Sequence, residues 1–236
     1  YTSGRGWKIM QTSTQQFNPE DMYHMFDLTT LNNDIWHFKN VVSYPDELVS
    51  FINEVDGDSR SYSKITAWEE WTASNNKEVK YGKNKNVLCD NIKSVIDDGL
   101  LDKKILYIKN SLEMAVQMSL NTYLASHGLD KDHYDLQMSI MPIRIWEKGS
   151  YMGPHCDSYD GNLDIAFSIV MYLNEDYTGG EIGFPNHDVL LKPKSGSLLI
   201  FPSQEPFLHQ VHTLESGQRY TCHLSVYKKQ DGIIKK

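Results

Sequence analysis

Residues 163–173 alternate strictly between large apolar side chains and small or polar ones, and this is the side-chain period of a β-strand. One face carries leucine, isoleucine, phenylalanine and methionine, and it therefore needs a hydrophobic core. The opposite face carries Ala166, Ser168 and Val170 and ends in the phenol of Tyr172. A strand with one bulky apolar face and one small, partly polar face predicts a barrel or sandwich whose interior can hold a ligand.

Further short apolar segments, separated by glycine and proline turns, surround this strand. We interpret them as strands at residues 138–146, 181–184, 189–191, 198–201, 209–214 and 220–227. The segments 189–191 and 198–201 flank a turn at 193–196, so we expect them to pair as a hairpin. Many short strands with such turns predict a mainly β sandwich or small barrel.

The N-terminal half differs from this pattern. Residues 1–34 are polar and lack sustained periodicity, which predicts a loop-rich arm. From residue 35 to residue 230 we expect a single domain. In this domain a helical support at 43–125 would pack against a β core at 136–230.

The expected elements of the N-terminal half are few. They are a strand at 35–42 and helices at 43–55, 90–98 and 105–125. The segment 68–71, Trp-Glu-Glu-Trp, is interpreted as a short packed helix rather than as a clamp over a substrate.

Charge and cysteine usage limit the classes of function. The chain has 236 residues and a formal net charge of -8, which argues against a nucleic-acid partner because phosphate binding needs a basic surface. The sequence contains no apolar run long enough for a membrane span and no recognisable signal peptide. Cys89, Cys156 and Cys222 are scattered, so we expect no disulfide framework and a reducing, cytoplasmic compartment.

One short motif has the residue types and spacing of a metal site. His155 and Asp157 lie two residues apart, so in an extended strand both side chains point to the same face. A histidine from another strand would complete the facial triad of non-haem Fe(II) oxygenases, which leaves coordination positions open. His209 and His212 are both available, but three residues apart they face opposite sides of a strand. Structural zinc is less favoured, because three ligands leave a tetrahedral site incomplete.

Several motifs occur in a fixed order through the C-terminal half. They are Gly149, His155-x-Asp157, Tyr172-Leu173-Asn174, Gly179-Gly180-Glu181, Phe184-Pro185, Pro193-x-x-Gly196, Leu199-x-Phe201, His209 and Arg219. In this order they resemble the iron- and 2-oxoglutarate-dependent dioxygenases, specifically the prolyl 4-hydroxylase-like branch, over about residues 136–230. The resemblance implies a double-stranded β-helix core, a jelly roll of the cupin type, with helices packed on it.

The resemblance also implies roles for individual residues. His155, Asp157 and His209 would ligate Fe(II). The ten-residue gap from His209 to Arg219 matches the family, whereas the seven-residue gap from His212 does not. Arg219 would bind the distal carboxylate of 2-oxoglutarate, for which a planar, permanently charged guanidinium is well suited.

Two further side chains complete the expected cosubstrate site. Tyr172 would add a hydroxyl group to the same carboxylate. His223 would share a strand face with Arg219 and so contact the cosubstrate as an outer group. With O2 as co-reactant and ascorbate as an accessory reductant, the implied reaction hydroxylates a C–H bond and releases succinate and CO2.

The resemblance implies a peptidyl proline or another protein residue as the substrate. Prolyl hydroxylases commonly have arginine where this chain has Ile165, and tryptophan in the last strand where it has Ser225. A free amino acid or small metabolite is therefore the alternative. A nucleic-acid demethylase is less favoured because the chain is acidic. A non-catalytic jelly-roll binding module is less favoured because the set of site residues is complete.

Overall fold

The computed structural model describes residues 27–54, 69–70, 79–80, 83–89, 103–136, 140–158 and 164–229. Its helices are α1, Pro45–Glu54, and α2, Lys103–Ser126. Its strands are β1 Asp27–Thr30, β2 Trp36–Lys39, β3 Glu69–Glu70, β4 Val79–Lys80, β5 Lys83–Cys89, β6 Tyr134–Leu136, β7 Ile140–Trp146, β8 Tyr151–His155, β9 Ile165–Tyr172, β10 Thr178–Gly179, β11 Ile182–Phe184, β12 Val189–Leu191, β13 Ser197–Pro202, β14 His209–Val211, β15 Leu214–Ser216 and β16 Arg219–Lys228. Residues 1–26 of the predicted arm and the predicted helix at 90–98 lie outside the described residues.

Within these ranges the strands form a large sheet, a smaller sheet and a short ribbon. The large sheet has nine strands in the order β1-β2-β13-β9-β16-β7-β5-β3, with β6 paired to β16. The smaller sheet has five strands in the order β12-β11-β14-β8-β4, and β10 pairs with β15 in the ribbon. Strands that neighbour each other in a sheet are thus often far apart in sequence.

The helix α2 packs on one face of the large sheet. Leu112 and Leu120 of α2 lie in one buried cluster with Ile169 and Met171 of the central strand β9. This contact confirms the predicted helix at 105–125 and explains its apolar face. No helix among the described residues is long and apolar enough to cross a membrane.

The other face of the large sheet packs on the smaller sheet. Tyr172 of β9 and Phe201 of β13 share a second buried cluster with Ile182 and Phe184 of β11. The alternation read from the sequence of β9 therefore holds, with Ile169 on the helix side and Tyr172 between the sheets. Two packed sheets with helices on an outer face confirm the mainly β fold predicted above.

One predicted strand pairing is wrong. Residues 189–191 and 198–201 do not form a hairpin, because β12 pairs with β11 in the smaller sheet while β13 lies between β2 and β9. The backbone oxygen of Gly196 accepts hydrogen bonds from the nitrogens of Val41 and Val42, both at 3.0 Å. The turn before β13 is thus attached to the large sheet, where a strand buried on both faces gains two neighbours.

Other boundaries differ as well. The strand β1 lies inside the predicted loop-rich arm and pairs with β2. Glu69–Glu70, expected in a short helix, pairs instead with β5. Such short edge strands depend on a partner elsewhere in the chain rather than on local propensity, so the local sequence did not indicate them. The strand predicted at 209–214 ends at Val211, because β15 leaves the smaller sheet and pairs with β10.

Truncating Leu198 tests the place of β13 in the core. Leu198 is fully buried, opposite Phe38 and Met171, so Leu198→Ala should lower the free energy of unfolding by about 2–5 kcal/mol. Leu190→Ala on β12 is the matched control, since its side chain is 65% exposed and should cost less than about 0.5 kcal/mol. Urea unfolding measures both, and equal losses would contradict the different environments of the two strands.

Candidate active site

Strand pairing in the smaller sheet brings the predicted metal ligands together. β8 and β14 are antiparallel, and His155 lies directly opposite His209. Asp157 follows β8 in a bend, with carboxylate oxygens 3.6 Å from His155 Nε2 and 3.5 Å from His209 Nε2. One ligand atom from each of the three residues lies within 4.8 Å of the other two. Two nitrogens and one oxygen therefore meet at a single point.

Backbone carbonyl groups orient both imidazoles. His155 Nδ1 lies 2.9 Å from the oxygen of Gly153, and His209 Nδ1 lies 3.3 Å from that of Phe207. A carbonyl only accepts hydrogen bonds, so these contacts place the proton of the neutral ring on Nδ1. The lone pair of Nε2 then faces Asp157 in both residues, which is the arrangement that a metal ligand needs.

The protonation states suit a divalent cation. Burial lowers the pKa of His209 to about 4, although Asp157 opposes the shift, so this imidazole is neutral. Burial would raise the pKa of Asp157, but His209 and His223 hold it well below its usual value, so it is an anion. Burial would lower the pKa of His155, but the neighbouring carboxylate of Asp157 raises it. Metal binding here would displace a proton from that cluster.

A chain of hydroxyl groups supports Asp157 from the large sheet. Ser168 Oγ of β9 donates to Asp157 Oδ2 at 2.5 Å, and Ser203 Oγ lies 2.7 Å from Ser168 Oγ. The alternation in the sequence places Ser168 on the interior face but does not by itself indicate this contact. The local feature that could have suggested it is that a serine lies on the small, partly polar face of a strand with alternating side chains. Ser203, beyond the end of β13, gave no local signal.

The other two histidines occupy different places. His223 Nε2 lies 3.3 Å from Asp157 Oδ2, so its visible contact is with the carboxylate, and its contact with a cosubstrate stays a prediction. His212 is exposed, and its Nε2 lies 3.2 Å from Gln210 Nε2, outside the cluster. The geometry thus agrees with the preference for His209 over His212.

A buried guanidinium forms a second, separate feature. Arg219 is 2% exposed, and its Cζ lies 5.1 Å from the ring centroids of both Trp146 and Tyr172. Within the described part of the chain, Arg219 Nε and Nη1 and the hydroxyl of Tyr172 have no hydrogen-bond partner. Burial raises the pKa of Tyr172 to about 12, so its hydroxyl keeps its proton and can donate. Buried donors without acceptors are costly, and a carboxylate ligand would satisfy them.

The start of β16 fixes this pocket relative to the metal ligands. The Asn174 side chain accepts a hydrogen bond from Tyr220 N at 2.8 Å and donates one to Gln218 O at 2.7 Å. The backbone on both sides of Arg219 is thereby held near the end of β9. Arg219 and His223 alternate onto the same face of β16, so the guanidinium and the imidazole beside Asp157 face one interior.

The C-terminal half matches a known family. Residues 136–227 match the family model described as the 2OG-Fe(II) oxygenase superfamily. This segment, which is less than half of the chain, is similar to 2OG-Fe(II) oxygenase domains. The superfamily's Fe(II) and 2-oxoglutarate fit the two features above: a His-Asp-His group suits iron, and a buried guanidinium without an acceptor suits a dicarboxylate.

Curated relatives share part of this chain. A PKHD-type hydroxylase of Prochlorococcus marinus (strain NATL2A) is 32% identical over 79 residues, which covers 31% of this chain and 35% of that protein. A PKHD-type hydroxylase of Crocosphaera subtropica (strain ATCC 51142 / BH68) is 32% identical over 139 residues, which covers 54% of this chain and 58% of that protein. The chain thus spans between about a third and three fifths of these two relatives.

Solved structures share the architecture over most of the chain. One of them is a prolyl hydroxylase of Trichoplax adhaerens in complex with a hypoxia inducible factor oxygen degradation domain peptide fragment. It superposes with a TM-score of 0.60 and is 14% identical in sequence. The superposition covers 93% of this chain and 94% of that one. A prolyl-4-hydroxylase of Pseudomonas putida superposes with a TM-score of 0.55 and is 15% identical in sequence. The superposition covers 84% of this chain and 94% of that one. At such identities the likeness concerns the fold, which is the double-stranded β-helix predicted from the sequence.

Removing His209 should abolish metal binding. His209→Ala deletes one of three ligands, so the loss of affinity should exceed the 10- to 100-fold, roughly, that follows from losing an outer partner of a ligand. His212→Ala is the matched control, because that side chain lies outside the cluster. Equilibrium dialysis against Fe(II) under anaerobic conditions measures both affinities. The reverse ranking would contradict the ligand assignment.

The hydroxyl of Ser168 should contribute to metal affinity without touching the metal. Ser168→Ala removes a donor to Asp157 and should weaken metal binding about 10- to 100-fold. Ser197→Ala is the control, since the hydroxyl of this buried serine has no hydrogen-bond partner among the described residues. An affinity of Ser168→Ala equal to that of Ser197→Ala would show that Asp157 is oriented by other contacts.

Proposed function

We propose that this chain is an Fe(II)- and 2-oxoglutarate-dependent dioxygenase that hydroxylates a C–H bond. His155, Asp157 and His209 bind the iron, and Arg219 and Tyr172 bind the distal carboxylate of 2-oxoglutarate. The observation that carries the proposal is that one barrel interior holds both a three-ligand cluster and a buried guanidinium without an acceptor. A barrel that bound only a metal would have no need of the second feature.

Each part of the chain has a role in this reaction. The bound iron and cosubstrate supply the oxidation, in which 2-oxoglutarate and O2 give succinate and CO2 and one oxygen atom enters the substrate C–H bond. His155, Asp157 and His209 would hold the iron and would leave coordination positions open on it. Arg219 orients the cosubstrate by a charge-assisted pair. The rings of Phe184 and Phe201, 5.8 and 4.8 Å from that of His209, keep water from this side of the site.

The proposed substrate is a protein residue, with peptidyl proline first. This is supported by the hydroxylase relatives and by the Trichoplax enzyme, which was solved with a peptide. A free amino acid or small metabolite is the second candidate. It is favoured by Ile165, a buried apolar residue where prolyl hydroxylases commonly have arginine. The accessory reductant ascorbate and a reducing, cytoplasmic compartment stay predictions.

Succinate release tests the proposed activity. The protein is loaded anaerobically with Fe(II) and 2-oxoglutarate and then exposed to air, with and without proline-rich peptides. We expect slow turnover that a peptide accelerates. Arg219→Ala should need far more 2-oxoglutarate, because losing one partner of a buried charge pair costs about 2–5 kcal/mol.

Each outcome of this assay has a defined meaning. Turnover that no peptide changes would move the proposal to a small-molecule substrate. Iron-loaded protein that forms no succinate under any of these conditions would contradict the dioxygenase and favour a non-catalytic binding module. An Arg219→Ala variant with an unchanged 2-oxoglutarate requirement would show that another residue binds the carboxylate.

A further inference from the structure

We propose that the phenol of Tyr177 is a third donor to the carboxylate that Arg219 and Tyr172 bind. The inference rests on the proposed function and deepens it, because it adds a residue that the sequence motifs did not indicate. Tyr177 lies between β9 and β10 and is 3% exposed. Its role follows from its position, its hydroxyl group and the chemistry of its neighbours.

The ring of Tyr177 is fixed on several sides. It shares a buried cluster with Trp146, Val211 and Leu214. Lys192 Nζ lies 4.6 Å from the ring centroid and also donates a hydrogen bond to the backbone oxygen of Tyr177. A phenol held in this way has little freedom to turn its hydroxyl group to another place.

The side chains of Tyr177 and Arg219 converge over Gly180. A Cβ atom at Gly180 would lie 3.4 Å from Arg219 Cδ and 3.5 Å from Tyr177 Cε2, so both side chains pass close to this residue. Trp146, which packs with Tyr177, also lies beside the Arg219 guanidinium. Tyr177 therefore lies close to the Arg219 side chain, whose guanidinium also lies beside the ring of Tyr172.

The pocket contains buried polar atoms without a hydrogen-bond partner among the described residues, and Arg219 Nε and Nη1 are two of them. The hydroxyl of Tyr177 has no hydrogen-bond partner in the part of the chain that the structure describes, as is true of Tyr172. Burial raises the pKa of Tyr177, although the charge of Arg219 opposes the shift, so the phenol keeps its proton and can donate. A carboxylate offers about four lone-pair sites, enough for a guanidinium and two phenols.

Packing alone does not account for the hydroxyl group. A phenylalanine would fill the same space, and it would avoid the cost of a buried hydroxyl group without a partner. If Tyr177 only packs, Tyr177→Phe should leave the affinity for 2-oxoglutarate unchanged. If it binds the carboxylate, the variant should be at least as stable as wild type without ligand and should bind 2-oxoglutarate more weakly.

Calorimetric titration of the Zn(II)-loaded full chain with 2-oxoglutarate separates these cases, since zinc permits binding without turnover. Tyr177→Phe should weaken binding about 10- to 100-fold, as expected for a lost hydrogen bond to a charged group. Tyr123→Phe is the matched control, a buried tyrosine whose hydroxyl instead donates to Asp34 O at 2.9 Å. Its 2-oxoglutarate affinity should equal that of wild type.

A second ligand identifies which end of the cosubstrate Tyr177 contacts. 2-Oxopentanoate has the same carbon chain but lacks the distal carboxylate, so wild type and Tyr177→Phe should bind it equally. Loss of 2-oxoglutarate binding in Arg219→Ala but not in Tyr177→Phe would overturn the inference and leave the proposed function intact. Wild-type protein that binds no 2-oxoglutarate would overturn both.

Discussion

The antiparallel pairing of β8 with β14 is the contact on which the site depends. It sets His155 directly opposite His209, and the bend after β8 then brings Asp157 to both imidazoles. The smaller sheet alone would leave that carboxylate poorly supported. Ser168, from the large sheet, supplies the hydrogen bond that the smaller sheet lacks. The support of Asp157 therefore depends on the packing of the two sheets, which couples the ligand geometry to the hydrophobic core between them.

The interior of the barrel is rich in groups that are costly to bury. A guanidinium and the phenols of Tyr172 and Tyr177 lie together without acceptors, and an ionised Asp157 is held nearby. A chain selected only for stability would have apolar side chains at these positions, since unsatisfied buried polar groups reduce stability. The helix-facing side of the same sheet has such a composition, with Ile169 and Met171 against α2. One face of β9 thus contributes to the hydrophobic core, and the other lines the proposed ligand site.

The sequence predicted the local features well and the long-range ones less well. The alternation in β9, the α2 helix and the shared face of His155 and Asp157 were recognisable because period and spacing are local properties. The preference for His209 over His212 came from the family resemblance instead. The hairpin at 189–201 was predicted wrongly, because hairpin signals describe neighbours in sequence, whereas Gly196 is attached to residues 41–42. Ser203 was missed for the same reason, since it reaches Ser168 from 35 positions away. Pairings at that distance depend on which surfaces remain exposed after other strands have packed.

The ten-residue spacing from His209 to Arg219 has a physical basis in the crossing between sheets. The chain leaves the smaller sheet after β14, pairs β15 with β10, and enters the large sheet at Arg219. This ribbon is tight: a Cβ at Gly179 would lie 2.2 Å from Thr213 O, and one at Gly217 would lie 2.8 Å from Asp176 O. No side chain fits at either position, so the first glycine of Gly179-Gly180 is a requirement of the crossing. A longer or bulkier crossing would separate the metal ligands from the guanidinium, and one ligand could then no longer contact both.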